Sequence, residues 1–289
     1  MKSKFHSFAH KIILLSFFLP GWNSEASLDS VPEGKVLRER PFKGVPLVSS
    51  NVQNLAANNL IALYSDRGSW QLGREHLKMF LIQYQFPFEE IKKQDVLSGK
   101  LNSGRYSTLI MPGGASWNYL EDLGEVGANE IRQFVAKGNS YLGICAGAFY
   151  ATTMRNGGAA TGEYGIGLLD GASFDGTALE HPAFKEGIMK FPFQYPKLKN
   201  QYEIVLLGGP SFQVYKNVAD SIQLEVWDKF EKLDEPSMIF FKFEKGKVFL
   251  TGPHPEVEEN KTGWGPEWFD PESDWPILEA ALLKLRRLE

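Results

Sequence analysis

Between Asn59 and Tyr150 the chain alternates short, continuous apolar runs with stretches of helical periodicity. NLIALYSD (59–66), YSTLIMPGG (106–114) and SYLGIC (140–145) have strand length, and the first two close on turn residues. Between the first two runs, GREHLKMFLIQYQ sets Leu77, Phe80, Leu81 and Tyr84 at helical spacing, with His76 expected on the outer side. Before the third, ANEIRQFVAKGN puts Ile131, Phe134 and Val135 on one face and Gly138 at its stop. After it, AGAFYATTM reads as a helix opening. Strands separated by helices make crossovers, and crossovers make neighbouring strands parallel. The expected fold is α/β, a three-layer sandwich with a mostly parallel central sheet.

The second half is richer in strands: EIVLLGG, SFQVY, IQLEVWDKF, SMIFFKFE and KVFLTG run or alternate apolar, and FEKGKV reads as a hairpin turn. The tail DWPILEAALLKLRRLE is one amphipathic helix, with Pro276 in its first turn and Ile277, Leu278, Ala281, Leu282 and Leu285 as its apolar face. A chain of 289 residues that is 43% hydrophobic can bury one large core.

The first 26 residues read as an address. A basic leader, MKSKFHSFAHK, precedes the short apolar core IILLSFFL, and Ser24 and Ala26 are the small residues of a cleavage site. The apolar run is short for a membrane span, so no stable membrane association is expected after cleavage. The expected organisation is a signal peptide at 1–26, a polar linker or arm at 27–57, and one domain at 58–289. The expected location is periplasmic or secreted. Net charge is −4 and no basic run interleaves with aromatics past the leader, which argues against nucleic acid as a partner. No Cys pair, H-E-x-x-H or G-x-G-x-x-G after the first strand is present, so neither a metal nor another cofactor is expected.

Cys145 is the only cysteine, and an exported protein with one thiol has no internal disulfide. It stands in GICAG, between a strand and a helix opening. A nucleophile on such a sharp turn needs small neighbours, here Gly143, Ala146, Gly147 and Ala148. The Ala146 N–H would face a developing oxyanion, with a second donor from Gly113 or Gly114 in MPGG. A packed structural cysteine is the alternative. A thiol nucleophile needs a base. Of the histidines past the leader, His76 lies in a helix and His181 in a loop, whereas His254 follows the strand KVFLTG. Strand carboxyl ends are where open α/β sheets build sites. In GPHPE, Pro255 biases His254 to extended geometry, and residues two apart then share a side. Glu256 is expected to orient the imidazole.

MPGG, GICAG and GPHPE, in that order, resemble the class I glutamine amidotransferase superfamily. The segments MPGG, YLGICAGAFYA and YGIGLLDGASFDG are closer to its biotin-protein ligase N-terminal branch. The resemblance implies a Cys145–His254–Glu256 triad and an oxyanion hole from Gly113, Gly114 and Ala146. Where the amidotransferase motif usually carries Gln, this chain has Phe149. Two functions follow. One is a thiol hydrolase or amidase acting on a small carbonyl or amide substrate. The other is a non-catalytic module binding a small molecule on the same fold. Asp66, Phe149 and Trp264 are candidates for substrate contact; Trp264 opens an aromatic segment that would line a pocket or staple the last helix.

Overall fold

The computed structural model describes residues 59–156, 162–174, 189–194, 201–230, 233–263 and 272–286. The leader, the polar arm, His181 and Trp264 lie outside these residues. The first half runs β1 (Leu60–Tyr64), α1 (Gln71–Gln83), β2 (Phe88–Ile91), α2 (Lys93–Leu97), β3 (Tyr106–Met111), α3 (Ser116–Ala136), β4 (Ser140–Ile144) and α4 (Ala146–Tyr150). Then come β5 (Thr152–Asn156), β6 (Gly162–Glu163), β7 (Leu169–Phe174), β8 (Met189–Gln194), β9 (Gln201–Leu206) and β10 (Ser211–Gln213). Last are α5 (Lys216–Ser221), β11 (Glu225–Lys229), β12 (Pro236–Phe243), β13 (Gly246–Thr251) and α6 (Trp275–Arg286).

The central sheet has seven strands in the order β11-β12-β13-β4-β3-β1-β2. From β13 to β2 every neighbouring pair is parallel, and β12 runs antiparallel to both of its neighbours. Successive side chains on a strand point to opposite faces, which sorts the apolar runs into two cores. Ile61, Leu63, Ile110, Leu142, Met238, Phe240 and Phe249 pack with Leu77, Phe80 and Leu81 of α1 and with Trp275, Ile277, Leu278, Ala281, Leu282 and Leu285 of α6. Their strand neighbours Ala62, Tyr64, Leu109, Met111, Tyr141, Ile239, Phe241, Val248 and Leu250 pack with Tyr119, Leu123, Ile131, Phe134 and Val135 of α3. Helices therefore cover both faces of the sheet, in three layers.

Several elements depart from the sequence reading. The short strand β2 and helix α2 were not expected, because FEEI carries no apolar run. Helix α3 starts at Ser116, well before the periodic segment, and passes through Gly124 at φ 51° and ψ −159°, where two helical pieces meet at a kink. Helix α4 has only five residues, and a strand begins at Thr152 instead of a longer helix. β-Branched Thr152 and Thr153 favour that exit. The second-half strands divide: β11 to β13 extend the central sheet, β10 joins β7, β5 and β6 in a four-stranded sheet, and β9 pairs with β8. Among the described residues, no helix is long and apolar enough to cross a membrane.

Candidate active site

Three loops meet above the carboxyl ends of β3, β4 and β13. The parallel pairing of β3 with β4 and of β4 with β13 puts Pro112–Gly114, Cys145 and Gly252–Glu256 side by side. The β1 and β3 loops are stitched together as well. Trp70 N–H donates to the Gly113 carbonyl at 2.8 Å, and Ala115 N–H donates to the Gly68 carbonyl at 2.7 Å.

Cys145 sits at φ 48° and ψ −103°, a positive φ that residues with a side chain rarely adopt. Such a conformation costs about 1–3 kcal/mol and persists only where the surroundings enforce it. Here Cys145 N–H donates to the Thr251 carbonyl at 2.8 Å, and Phe149 N–H donates to the Cys145 carbonyl at 2.9 Å. Close approach to β3 completes the turn. A Cβ on Gly147 would lie 2.0 Å from the Met111 carbonyl oxygen. The Gly147 N–H is spent on the Pro112 carbonyl at 3.1 Å. The amide of Ala146, in the first turn of α4, has no partner within that helix by construction. With only five residues, α4 contributes these amides and little macrodipole. Phe149 is buried within the same helix.

His254 and Glu256 are both buried, and His254 Nδ1 lies 2.8 Å from Glu256 Oε1. The expected reason for this pairing needs correction. Val257 N–H donates to the His254 carbonyl at 3.1 Å, so the segment is a turn with Pro255 and Glu256 at its centre, not an extended strand. Burial opposes the charged imidazole, but the Glu256 carboxylate and then the Cys145 sulfur outweigh it, and the His254 pKa rises to about 10. A ring with that affinity can take the proton that leaves a sulfur. Cys145 is near enough to act on the ring in this way, yet His254 Nε2 makes no hydrogen bond of regular geometry among the described residues. The thiol instead donates to the Leu207 carbonyl at 3.5 Å. Gly113 closes the space between the two side chains. A Cβ there would lie 2.4 Å from His254 Cε1 and 3.4 Å from Cys145 Cβ. Gly114, at φ 137°, turns instead against the Gly68 carbonyl.

Other candidates sit elsewhere. Asp66 uses both carboxylate oxygens on backbone amides, Oδ1 on Arg67 N–H at 2.8 Å and Oδ2 on Lys93 N–H at 3.0 Å. It caps the start of α2, so its contacts are structural. His76 is not on the outer side of α1: it is 2% exposed. Its Nδ1 accepts the Glu258 N–H at 3.0 Å, and the Glu256 backbone is a second hydrogen-bond partner. Burial first, then Lys261, lowers its pKa to about 4, so the ring is neutral and can accept at Nδ1. Trp275 Nε1–H donates to the Glu256 carbonyl at 3.0 Å, and Trp70 packs edge-on against the His254 ring at 5.3 Å. His76, Trp70 and Trp275 hold the base loop; the sequence reading set His76 on an outer face and did not mention Trp70. Among the described residues, no three His, Cys, Asp or Glu side chains gather as a metal site.

Residues 61–158 match the family described as biotin-protein ligase, N terminal. That span contains Gly113, Gly114, Cys145 and Ala146, and ends before His254. An uncharacterized protein of Chlamydia muridarum is 26% identical over 211 residues, 68% of this chain and 80% of that protein. The biotin–protein ligase of Schizosaccharomyces pombe is 29% identical over 163 residues, 51% of this chain but only 25% of the ligase. A glutamine amidotransferase crystal structure superposes with a TM-score of 0.53 at 19% identity, covering 78% of this chain and 98% of that one. At that identity the likeness concerns the fold.

Proposed function

We propose that this chain, which carries the biotin-protein ligase N-terminal family domain on a glutamine amidotransferase-like fold, is a thiol hydrolase acting on a small amide or carbonyl substrate. The observation that carries the reading is the buried His254–Glu256 pair at 2.8 Å, set against Gly113 with Cys145 on the same glycine. In this mechanism the proton of Cys145 is held on His254 Nε2 before substrate arrives, because the pKa of that ring is raised to about 10, and the sulfur reacts as thiolate. The sulfur attacks the substrate carbonyl carbon. Glu256 stabilises the resulting imidazolium and holds its orientation. The oxyanion is received by the N–H of Ala146 and by N–H groups of the Gly113–Gly114 segment. The C–N bond then breaks, Nε2–H protonates the departing amine, and a thioester remains. Water, deprotonated by Nε2, attacks that thioester and releases a carboxylic acid, leaving the thiolate beside the re-formed imidazolium. With Phe149 at the position where amidotransferases usually carry Gln, glutamine is not the substrate we propose. Export to the periplasm or beyond belongs to the same proposal and rests on the leader pattern alone.

The test is labelling of the native protein with iodoacetamide, with the adduct mapped by mass spectrometry. Alkylation at Cys145 that slows in His254→Ala, and slows less in Glu256→Gln, supports the reading. No labelling until the protein unfolds, with no response to either substitution, overturns it. Export is checked by the mass of protein from the native host, which should begin at or near Ser27.

A further inference from the structure

Two consecutive carbonyls of the β3 loop converge on one buried hydroxyl. Tyr119 Oη lies 3.1 Å from the Pro112 carbonyl oxygen and 3.4 Å from that of Gly113. A phenol has one proton to donate, so the two acceptors share it. Each carbonyl also has a backbone donor: Gly147 N–H reaches Pro112 at 3.1 Å, and Trp70 N–H reaches Gly113 at 2.8 Å. In a planar trans peptide the N–H points opposite to the C=O. Turning these two oxygens toward Tyr119, Gly147 and Trp70 turns the N–H groups of Gly113 and Gly114 away from them. Gly113 itself abuts Cys145 and His254.

We infer that Tyr119 is a positioning residue for the oxyanion hole: its hydroxyl sets the two peptide planes whose N–H groups receive the developing charge. The inference rests on the hydrolase reading above and adds to it a residue that touches neither sulfur nor base. Its surroundings fit the role. The ring is fully buried on the first piece of α3, held edge-on by Tyr64 at 5.3 Å and Tyr150 at 5.7 Å. Of the three phenols, those of Tyr64 and Tyr150 have no hydrogen-bond partner among the described residues, whereas that of Tyr119 reaches the loop. Burial, foremost, holds the Tyr119 phenol well above its usual pKa, so it remains a neutral donor.

The experiment compares two probes on the full chain. p-Nitrophenyl acetate acylates a thiol through a tetrahedral oxyanion. Iodoacetamide alkylates the same thiol by direct displacement and forms none. Both rates are read at Cys145 by mass spectrometry, and the p-nitrophenolate burst follows acylation. In Tyr119→Phe, acylation should fall roughly three- to tenfold, the worth of one neutral hydrogen bond, while alkylation stays within about twofold of wild type. Tyr64→Phe, which removes a neighbouring phenol with no carbonyl contact, should leave the ratio of the two rates unchanged. The ratio is internal, so partial unfolding moves both rates together and does not mimic the effect. Placing p-aminophenylalanine at position 119 returns a donor to the same place and should restore the ratio. A Tyr119→Phe ratio equal to wild type, or no recovery on return of the donor, overturns the Tyr119 assignment alone. A wild type that alkylates at Cys145 but never acylates overturns the hydrolase reading and the assignment with it.

Discussion

Gly113→Ala puts one methyl group into the narrowest part of the site. The new Cβ would lie 2.4 Å from His254 Cε1, 3.2 Å from Nδ1 and 3.4 Å from Cys145 Cβ. Carbon atoms in contact prefer about 3.5–4.0 Å, so the ring must retreat by about 1 Å. It has no easy direction to go. Trp70 stands edge-on at 5.3 Å, and the His254 amide is fixed to the Val205 carbonyl at 2.7 Å. Retreat stretches the 2.8 Å contact to Glu256 beyond hydrogen-bond range. Gly113 is not among the residues at positive φ, so alanine meets no backbone penalty and the cost is steric. Overpacking of this kind costs about 1–3 kcal/mol. At roughly 2–4 °C per kcal/mol for a domain of this size, thermal unfolding should shift down by several degrees. A misplacement of about 1 Å at a reacting group costs on the order of 100-fold in rate. The assay is acylation of Cys145 by p-nitrophenyl acetate beside a thermal melt. Wild-type acylation by Gly113→Ala would refute the placement of His254 as the base, and an unchanged melting temperature would refute the steric account.

Stability should fall as pH rises from about 6.5 toward about 10, because the His254 pKa is raised to about 10 and the folded chain then holds a proton that the unfolded chain has lost. Urea midpoints across that range should show a shallower decline in Glu256→Gln; an equal decline would detach the effect from the pair. His76, lowered to about 4, acts in the opposite sense: its contribution is present above about 6.5 and is lost as pH falls toward 4. His76→Phe removes the nitrogen that accepts the Glu258 N–H, for a loss of about 1–3 kcal/mol at pH 7, read from urea midpoints. Burial raises the Asp228 carboxyl to about 7, so its contribution is present below about 4 and is lost as pH rises through 7. Asp228→Asn should therefore gain stability relative to wild type at pH 8, by the same measurement, and no gain would place that carboxyl in water.

What could be read from the sequence was what the backbone pattern writes locally. The continuous runs around Ile61, Leu109 and Leu142 need cover on both faces, and each of them lies between two helical layers. MPGG, GICAG and GPHPE were legible because small residues and prolines constrain the chain within a few positions. β2 was not, since a charged edge strand such as FEEI shows neither alternation nor a run. His254 meets Glu256 through a turn and not through the extended segment expected: proline at the second position serves both equally, and only the Val257 amide bond separates them. The supporting residues were beyond local reading for another reason. His76 meets Glu258 across a sequence separation of 182, and the thiol meets Leu207 across 62. A lone histidine on an amphipathic helix looks like any polar residue on the outer face until its partner is known. Tyr119 is the intermediate case, because its carbonyl partners lie six and seven residues back. A tyrosine one turn into the helix that follows a P-G-G loop can reach that loop. The polar tip of a buried aromatic, placed to reach a backbone that must not move, is a signal the sequence did contain.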